Sequence, residues 1–342
     1  MRSFFTAGVV LLFAVQGAFA ATASVIWLDI TPGARANGMG ETFTAIADDA
    51  TASYWNPAGL AFAAQEKKEI TLQHSQWLPQ LADDLYYEFL GYAQQIENLG
   101  GVGGNITFMS LGEQQEIEAG STEPVGTFYA YGIAADAAFG TEVAPGLAAG
   151  VGLKFIYDHL YYEENGKGSS FAADLGILYH VPEQNYGQIS LGAALSNLGP
   201  NVSYGGNSEN NPLPRELRLG AAYLPFEDEL MSLLISADYT KLLVSINNPP
   251  EPQSGGSEDE SLADELSENK WGAGAEFRYY KLLALRAGYI HDTEGDTTIS
   301  GISFGAGLQW NDFLLDMAFI PVEESLQGSG KYNQKYSLTL RF

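Results

Sequence analysis

The chain has 342 residues, 16 Lys and Arg against 42 Asp and Glu, and no cysteine. A formal net charge of -26 excludes nucleic-acid binding by bulk charge, and the missing thiols exclude disulfides, thiolate metal centres and a cysteine nucleophile. Only 17% of residues are charged, below the ~25% of ordinary soluble domains, while 39 Gly and 19 Tyr are present.

Residues 1–20 read as a secretory signal peptide. Arg2 precedes an apolar stretch over 7–15, and Ala18, Phe19 and Ala20 supply the cleavage site. That stretch is too short to span a bilayer, and no other apolar run reaches spanning length. Export to the periplasm, the outer membrane or the outside of a Gram-negative-type bacterium follows.

Residues 21–66 form a second segment, which contains GARANGMG over 33–40, ETFTAIADDATA over 41–52 and YWNPAGL over 54–60. Gly38 and Gly40 permit a tight turn. The Ala-rich stretch suits one or two short helices, with Asp48 and Asp49 as candidate caps and Asn56-Pro57 as a break. Feeding a barrel, such a segment predicts a short helical plug in the lumen.

Over 67–342 the pattern has period 2. Tyr336, Leu338, Leu340 and Phe342 alternate with Lys335, Ser337, Thr339 and Arg341. Leu217, Leu219, Ala221 and Tyr223 alternate with Arg218, Gly220 and Ala222, and Val151, Leu153, Phe155 and Tyr157 run out of phase with Lys154. Fourteen strands are predicted, near 68–78, 84–94, 100–111, 125–139, 146–159, 169–181, 187–198, 214–224, 231–242, 270–279, 282–291, 299–310, 313–321 and 333–342. Their dyad repeat, even number and alternating short and long connections give an all-β fold, a transmembrane antiparallel barrel. The longer connections carry about 20 acidic residues and, of the bases, Lys167 and Lys331. The richest, 243–269, reads as a solvated outer loop, with cation binding or a basic partner as alternatives.

A charge on the lipid face costs roughly 2–4 kcal/mol at midplane. Asp136, Lys154, Asp174, Arg218, Asp238, Glu276, Arg278, Arg286, Lys335 and Arg341 are therefore expected to face the lumen, as ion pairs or as a polar path. Tyr86, Tyr87, Tyr157, Tyr161, Tyr162, Tyr223, Tyr279, Tyr280, Trp271 and Trp310 read as interfacial girdles.

The pattern G-x-R-x-x-G-M-G, A-x-A-D-D-A and Y-W-N-P-A-G-L resembles the opening of PorV/PorQ-type outer-membrane proteins, themselves similar to FadL fatty-acid transporters. The matching residues are Gly33, Arg35, Gly38, Met39, Gly40, Ala47, Asp48, Asp49, Ala50, Tyr54, Trp55, Asn56, Pro57, Ala58 and Gly59. LGAALSNLG over 191–199, LPRELRLGAAY over 213–223 and LRAGY over 285–289 also fit. The resemblance implies fourteen strands, a lumenal hatch and a non-enzymatic role in type IX secretion. There, cargo with C-terminal sorting domains is received and passed to an attachment complex. It implies outer-membrane lipid, lipopolysaccharide and other type IX components as partners. The alternative is FadL-like passive transport of hydrophobic molecules. Terminal Phe342 on an amphipathic last strand resembles the signal read by the barrel-assembly machinery.

Competing chemistry is weak. GISFG over 301–305 matches the nucleophile-elbow pattern, but Ser303 falls mid-strand rather than on a strand-to-helix turn. His74, His159, His180 and His291 lack ligand spacing, and His159 and His180 lack an evident Ser partner for an acyl hydrolase. Asp292, Glu294 and Asp296 in a Gly-containing loop leave weak Ca²⁺ binding as an alternative, but their spacing does not fit an EF-hand. Neither a cofactor nor a metal is expected.

Overall fold

The computed structural model describes residues 23–77, 82–117, 123–161, 166–182, 186–205, 211–244, 269–292, 300–322 and 332–342. Outside these residues lie the expected signal peptide, nearly all of the acidic 243–269 connection, Tyr162, Glu294, Asp296 and Lys331.

Fourteen strands form the wall: β1 Glu69–Gln76, β2 Leu85–Ile96, β3 Gly100–Ile117, β4 Pro124–Ala144, β5 Leu147–His159, β6 Lys167–His180, β7 Gln188–Leu198, β8 Glu216–Glu227, β9 Met231–Leu242, β10 Lys270–Tyr279, β11 Leu283–Asp292, β12 Ser300–Trp310, β13 Phe313–Pro321 and β14 Tyr332–Arg341. Each pairs antiparallel with its neighbour. β14 pairs with β1 from Arg341↔Glu69 to Lys335↔Ser75, so the sheet closes. The two-residue strand Ser203–Tyr204 adds to the free edge of outer β6. Closure removes the two edges that an open sheet of β1 to β14 would present to lipid, where an unpaired N–H or C=O would cost several kcal/mol.

Alternation along β14 is complete. Asn333, Lys335, Ser337 and Thr339 are buried inside, while Gln334, Tyr336 and Leu338 are exposed outside. The exposed apolar side chains Leu72, Leu153, Phe171, Leu285, Ile302 and Leu315 form the lipid face. The short connections between the strand ends at 96/100, 144/147, 180/188, 227/231, 279/283 and 310/313 share one end, which places it on the periplasmic side.

Several expectations need correction. Of the connection expected over 112–124, residues 112–117 and Pro124 are strand. β3 and β4 run 18 and 21 residues and continue as a two-stranded ribbon past a register shift between Ser110 and Glu113. Polar cross-strand contacts hold it, with Tyr129 donating to Glu113 at 3.0 Å, so apolar periodicity does not mark it. Lys167 belongs to β6 rather than to a loop. Tyr87 is fully buried on the lumen face and joins the core with Phe89 and Trp55, whereas Trp271, Tyr279, Tyr280 and Trp310 are exposed on the outside.

Inside the wall sits the plug. It comprises a 3-10 turn at Ile26–Asp29, helix α1 Ala34–Gly38, helix α2 Ala52–Trp55 and a 3-10 turn at Pro57–Ala61. The helices occupy ARANG and ASYW, while the Ala-rich stretch between them only turns. Asp48 and Asp49 do not cap α2 with side-chain bonds to its N-terminus; Thr51 is the N-cap residue.

Glycine explains how the plug fits. Gly101, Gly140, Gly150 and Gly176 are successive register partners across β3 to β6. A Cβ there would strike the plug backbone: 1.8 Å from Leu60 O at Gly101 and 2.2 Å from Ala58 N at Gly150. A second bed lies across β10 and β11. Gly272 and Gly274 would place a Cβ 2.0 Å from the carbonyls of Gly40 and Met39, and Gly288 2.2 Å from Gly40 N.

Gly150→Val is expected to lower barrel stability by about 1–3 kcal/mol through overpacking. Gly126→Ala, where a Cβ meets only a Glu116 side-chain oxygen at 3.3 Å, should leave it unchanged. Thermal unfolding followed by electrophoretic mobility checks both.

Candidate functional site

The plug motif docks on the closure seam. Gly33 N donates to Gln73 of β1 and Ala34 N to Ser337 Oγ of β14 at 3.0 Å. Asn37 ties the turn before α1 to its first residues by donating to the carbonyls of Thr31, Pro32 and Gly33, and it accepts from Lys335 Nζ at 2.8 Å. Lys335 also donates to Thr31 O. Gly40, at φ 72°, takes the left-handed turn that glycine favours, and its N–H donates to Ser303 Oγ at 3.0 Å. The GISFG serine is thus a wall anchor for the plug.

Arg35 reaches from α1 to Glu276 on β10 at 3.1 Å and to Asp48 and Asp49 at 2.5 and 3.4 Å. Glu276 also accepts from Arg286 at 2.6 Å and from Arg278 at 2.9 Å, and Arg286 reaches Asp316 at 2.7 Å. One buried carboxylate therefore serves three guanidiniums and joins plug to wall.

Other anchors ring the lumen. Asp238 accepts from Phe43 N and Thr44 N at 3.0 and 2.8 Å. Arg218 pairs with Glu216, donates to Tyr54 OH at 3.2 Å, and lies over the Tyr54 and Trp55 rings at 4.8 and 5.3 Å. Trp55 itself donates to Pro32 O at 3.2 Å. Asn56 bridges Thr44 O and Ile177 O of the wall and accepts from Ala58 N. Lys154 pairs with Asp174 at 3.0 Å, and Asn105 joins Ser53 of the plug to Asp136. Trp27 donates to Asp158 at 3.2 Å, near the outer end.

Of the ten charges expected inside, Asp136, Lys154, Asp174, Arg218, Asp238, Glu276, Arg286 and Lys335 are buried in the lumen. Arg278 and Arg341 are only partly covered at the inner rim, where Arg341 pairs with Glu69 at 2.7 Å. Glu41, Glu69, Glu216, Lys270 and Asp316 complete these pairs and were not singled out. Strand phase assigns Asp316 and Lys270 inward, but partner identity lies across the barrel and has no sequence signal. The histidines serve contacts: His180 stacks on Phe62 at 4.2 Å, and His74 contacts Glu88 at 2.7 Å. Among the described residues no His, Asp and Glu group is arranged to hold a metal.

A closed barrel carrying this hatch and motif set fits one family. The family model of the type IX secretion system protein PorV matches residues 14–251. The chain belongs to the PorV family. No curated protein matches it in sequence. Among solved structures it is similar to the toluene transporter TodX of Pseudomonas putida, with TM-score 0.53 and 13% identity over 91% of this chain and 98% of that one. The same values hold for the toluene transporter TbuX of Ralstonia pickettii, and the monoaromatic hydrocarbon channel CymD scores 0.52 at 13% identity over 92% and 98%. At such identities the shared property is the fold. This PorV-family chain is an outer-membrane β-barrel type.

Glu276→Gln should cost about 3–5 kcal/mol, because it leaves buried guanidiniums uncompensated. Faster hydrogen exchange in 33–50 is the readout, and adding Arg35→Met should recover part of the loss.

Glu41 supplies a pH test. Burial raises its carboxyl, but Lys270 at 2.5 Å and then Lys335 outweigh burial and hold it below the ordinary value. Its stabilisation is complete above the unfolded value of about 4.3 and is lost as pH falls through the lower folded value. Plug protection from exchange should fall over that acid range, and Glu41→Gln should remove that component.

Proposed function

We propose that this protein handles cargo in type IX secretion without catalysing a reaction. In this reading it receives secreted proteins that carry C-terminal sorting domains and passes them to a surface attachment complex. Membership of the PorV family carries the proposal. Outer-membrane lipid and lipopolysaccharide surround the apolar wall, and the barrel-assembly machinery inserts it by the Phe342-terminated last strand.

The packed lumen supports this over passage of small molecules. Plug residues such as Phe43, Ala50, Trp55 and Leu60 are buried, their backbone lies on wall glycines, and buried ion pairs bridge plug and wall. FadL-like transport of hydrophobic molecules remains the second reading, favoured by the fold shared with the toluene transporters.

Deleting the gene should abolish surface display of sorting-domain proteins and leave them in the periplasm. Normal display, together with slowed uptake of a hydrophobic substrate, would establish the second reading instead.

A further inference from the structure

Two cavities adjoin at the periplasmic end of the lumen. One of about 190 Å³ lies under the plug, with Ala45, Ile46, Leu224 and Leu234 among its apolar lining. The other, of about 300 Å³, lies at the inner rim and includes Lys281 and Gln309. Glu227, Ser232 and Arg278 line both. They are register neighbours on three adjacent strands: Glu227↔Ser232 between β8 and β9, and Ser232↔Arg278 between β9 and β10.

A bulge sets this row. Leu233 pairs with Phe226 but Ile235 with Tyr223, so β8 carries one extra residue there. Upstream, even-numbered Arg218 and Ala222 face inward, whereas past the bulge Glu227 faces the cavity and Phe226 is exposed. Bulges commonly re-aim a side chain beside a functional site. Arg278 spends its Nε on Glu276, and among the described residues no acceptor meets its two Nη groups. Glu227 and the Ser232 hydroxyl likewise have no partner among the described residues. Asp228, by contrast, is committed to the turn, accepting from Leu230 N and Met231 N at 2.8 Å.

We propose that this row binds a small zwitterion, a phosphoethanolamine unit, free or as a lipid headgroup. Strands lie about 4.8 Å apart, so Glu227 and Arg278 stand roughly 10 Å apart at Cα, with Ser232 between. That spacing lets the carboxylate take an ammonium while the guanidinium fork and the hydroxyl take the phosphate oxygens. Lys281 adds charge on the phosphate side, and Ala45, Ile46, Leu224 and Leu234 give the attached carbons apolar contact within a cavity that Arg35, Asp48 and Glu276 also line. A simple anion would leave Glu227 facing it, and a simple amine would leave the Arg278 Nη groups without an acceptor. The site does not depend on a role in secretion.

Titration calorimetry of the whole protein in detergent tests this with phosphoethanolamine, inorganic phosphate and ethanolamine as separate probes. Saturable binding of phosphoethanolamine is expected, with the other two at least about tenfold weaker. Glu227→Gln and Arg278→Gln should each weaken it by about tenfold or more, the range of one lost charge-assisted hydrogen bond. Glu227 is exposed and its substitution should leave the unfolding temperature unchanged, so its effect reads binding alone. Absence of saturable binding, equal binding of phosphate alone, or unchanged affinity in Glu227→Gln would overturn the proposal. Competition by phosphatidylethanolamine nanodiscs, but not phosphatidylcholine ones, would identify the lipid headgroup as the ligand source. Saturable binding without that competition would identify the free form.

Discussion

The structure depends on direct contact between the plug backbone and the inner surface of the wall. A fourteen-strand barrel is too wide to be filled by its own inward side chains. Here the wall withdraws its side chains along two beds of glycine, and the plug main chain takes their place. The segment Pro57–Ala61 lies across one bed, and Met39 and Gly40 lie on the other. The high glycine content is therefore a packing requirement of the lumen as much as a turn requirement.

Contact of backbone with backbone leaves polar groups to satisfy, and the lumen charges answer that need. Asp238 accepts from two plug N–H groups, Gln73 and Ser337 hold the start of α1, and Lys335 donates to Thr31 and Asn37. Glu276 balances three guanidiniums from plug and wall. Buried ion pairs of this kind add little net stability but strongly penalise any arrangement that separates them. Their effect is to fix the position of the plug rather than to strengthen the barrel.

Much of this was legible in the chain. Lys154 out of phase with Leu153 and Phe155, and Lys335 out of phase with Tyr336, place both residues inside, and both are there. The motif GARANGMG marks the plug, and its glycines and Arg35, together with Ala34, Asn37 and Met39, meet the wall. Less legible were the β3–β4 ribbon, whose strand pairing is polar, and Tyr87, whose aromatic ring suits either an interface or a core. The bulge in β8 was also hidden, because Glu227 inverts a phase that Arg218 and Ala222 obey.

The sequence by itself determined strand number, inward and outward faces, and the plug segment. These follow from a two-residue period and from local turn chemistry, which are written in neighbouring residues. Only the tertiary structure decided that Arg35 meets Glu276, that Gly101, Gly140, Gly150 and Gly176 align, and that Glu227, Ser232 and Arg278 form one row. Those relations come from strand register and barrel closure, which join residues distant in the chain, and a single bulge resets them.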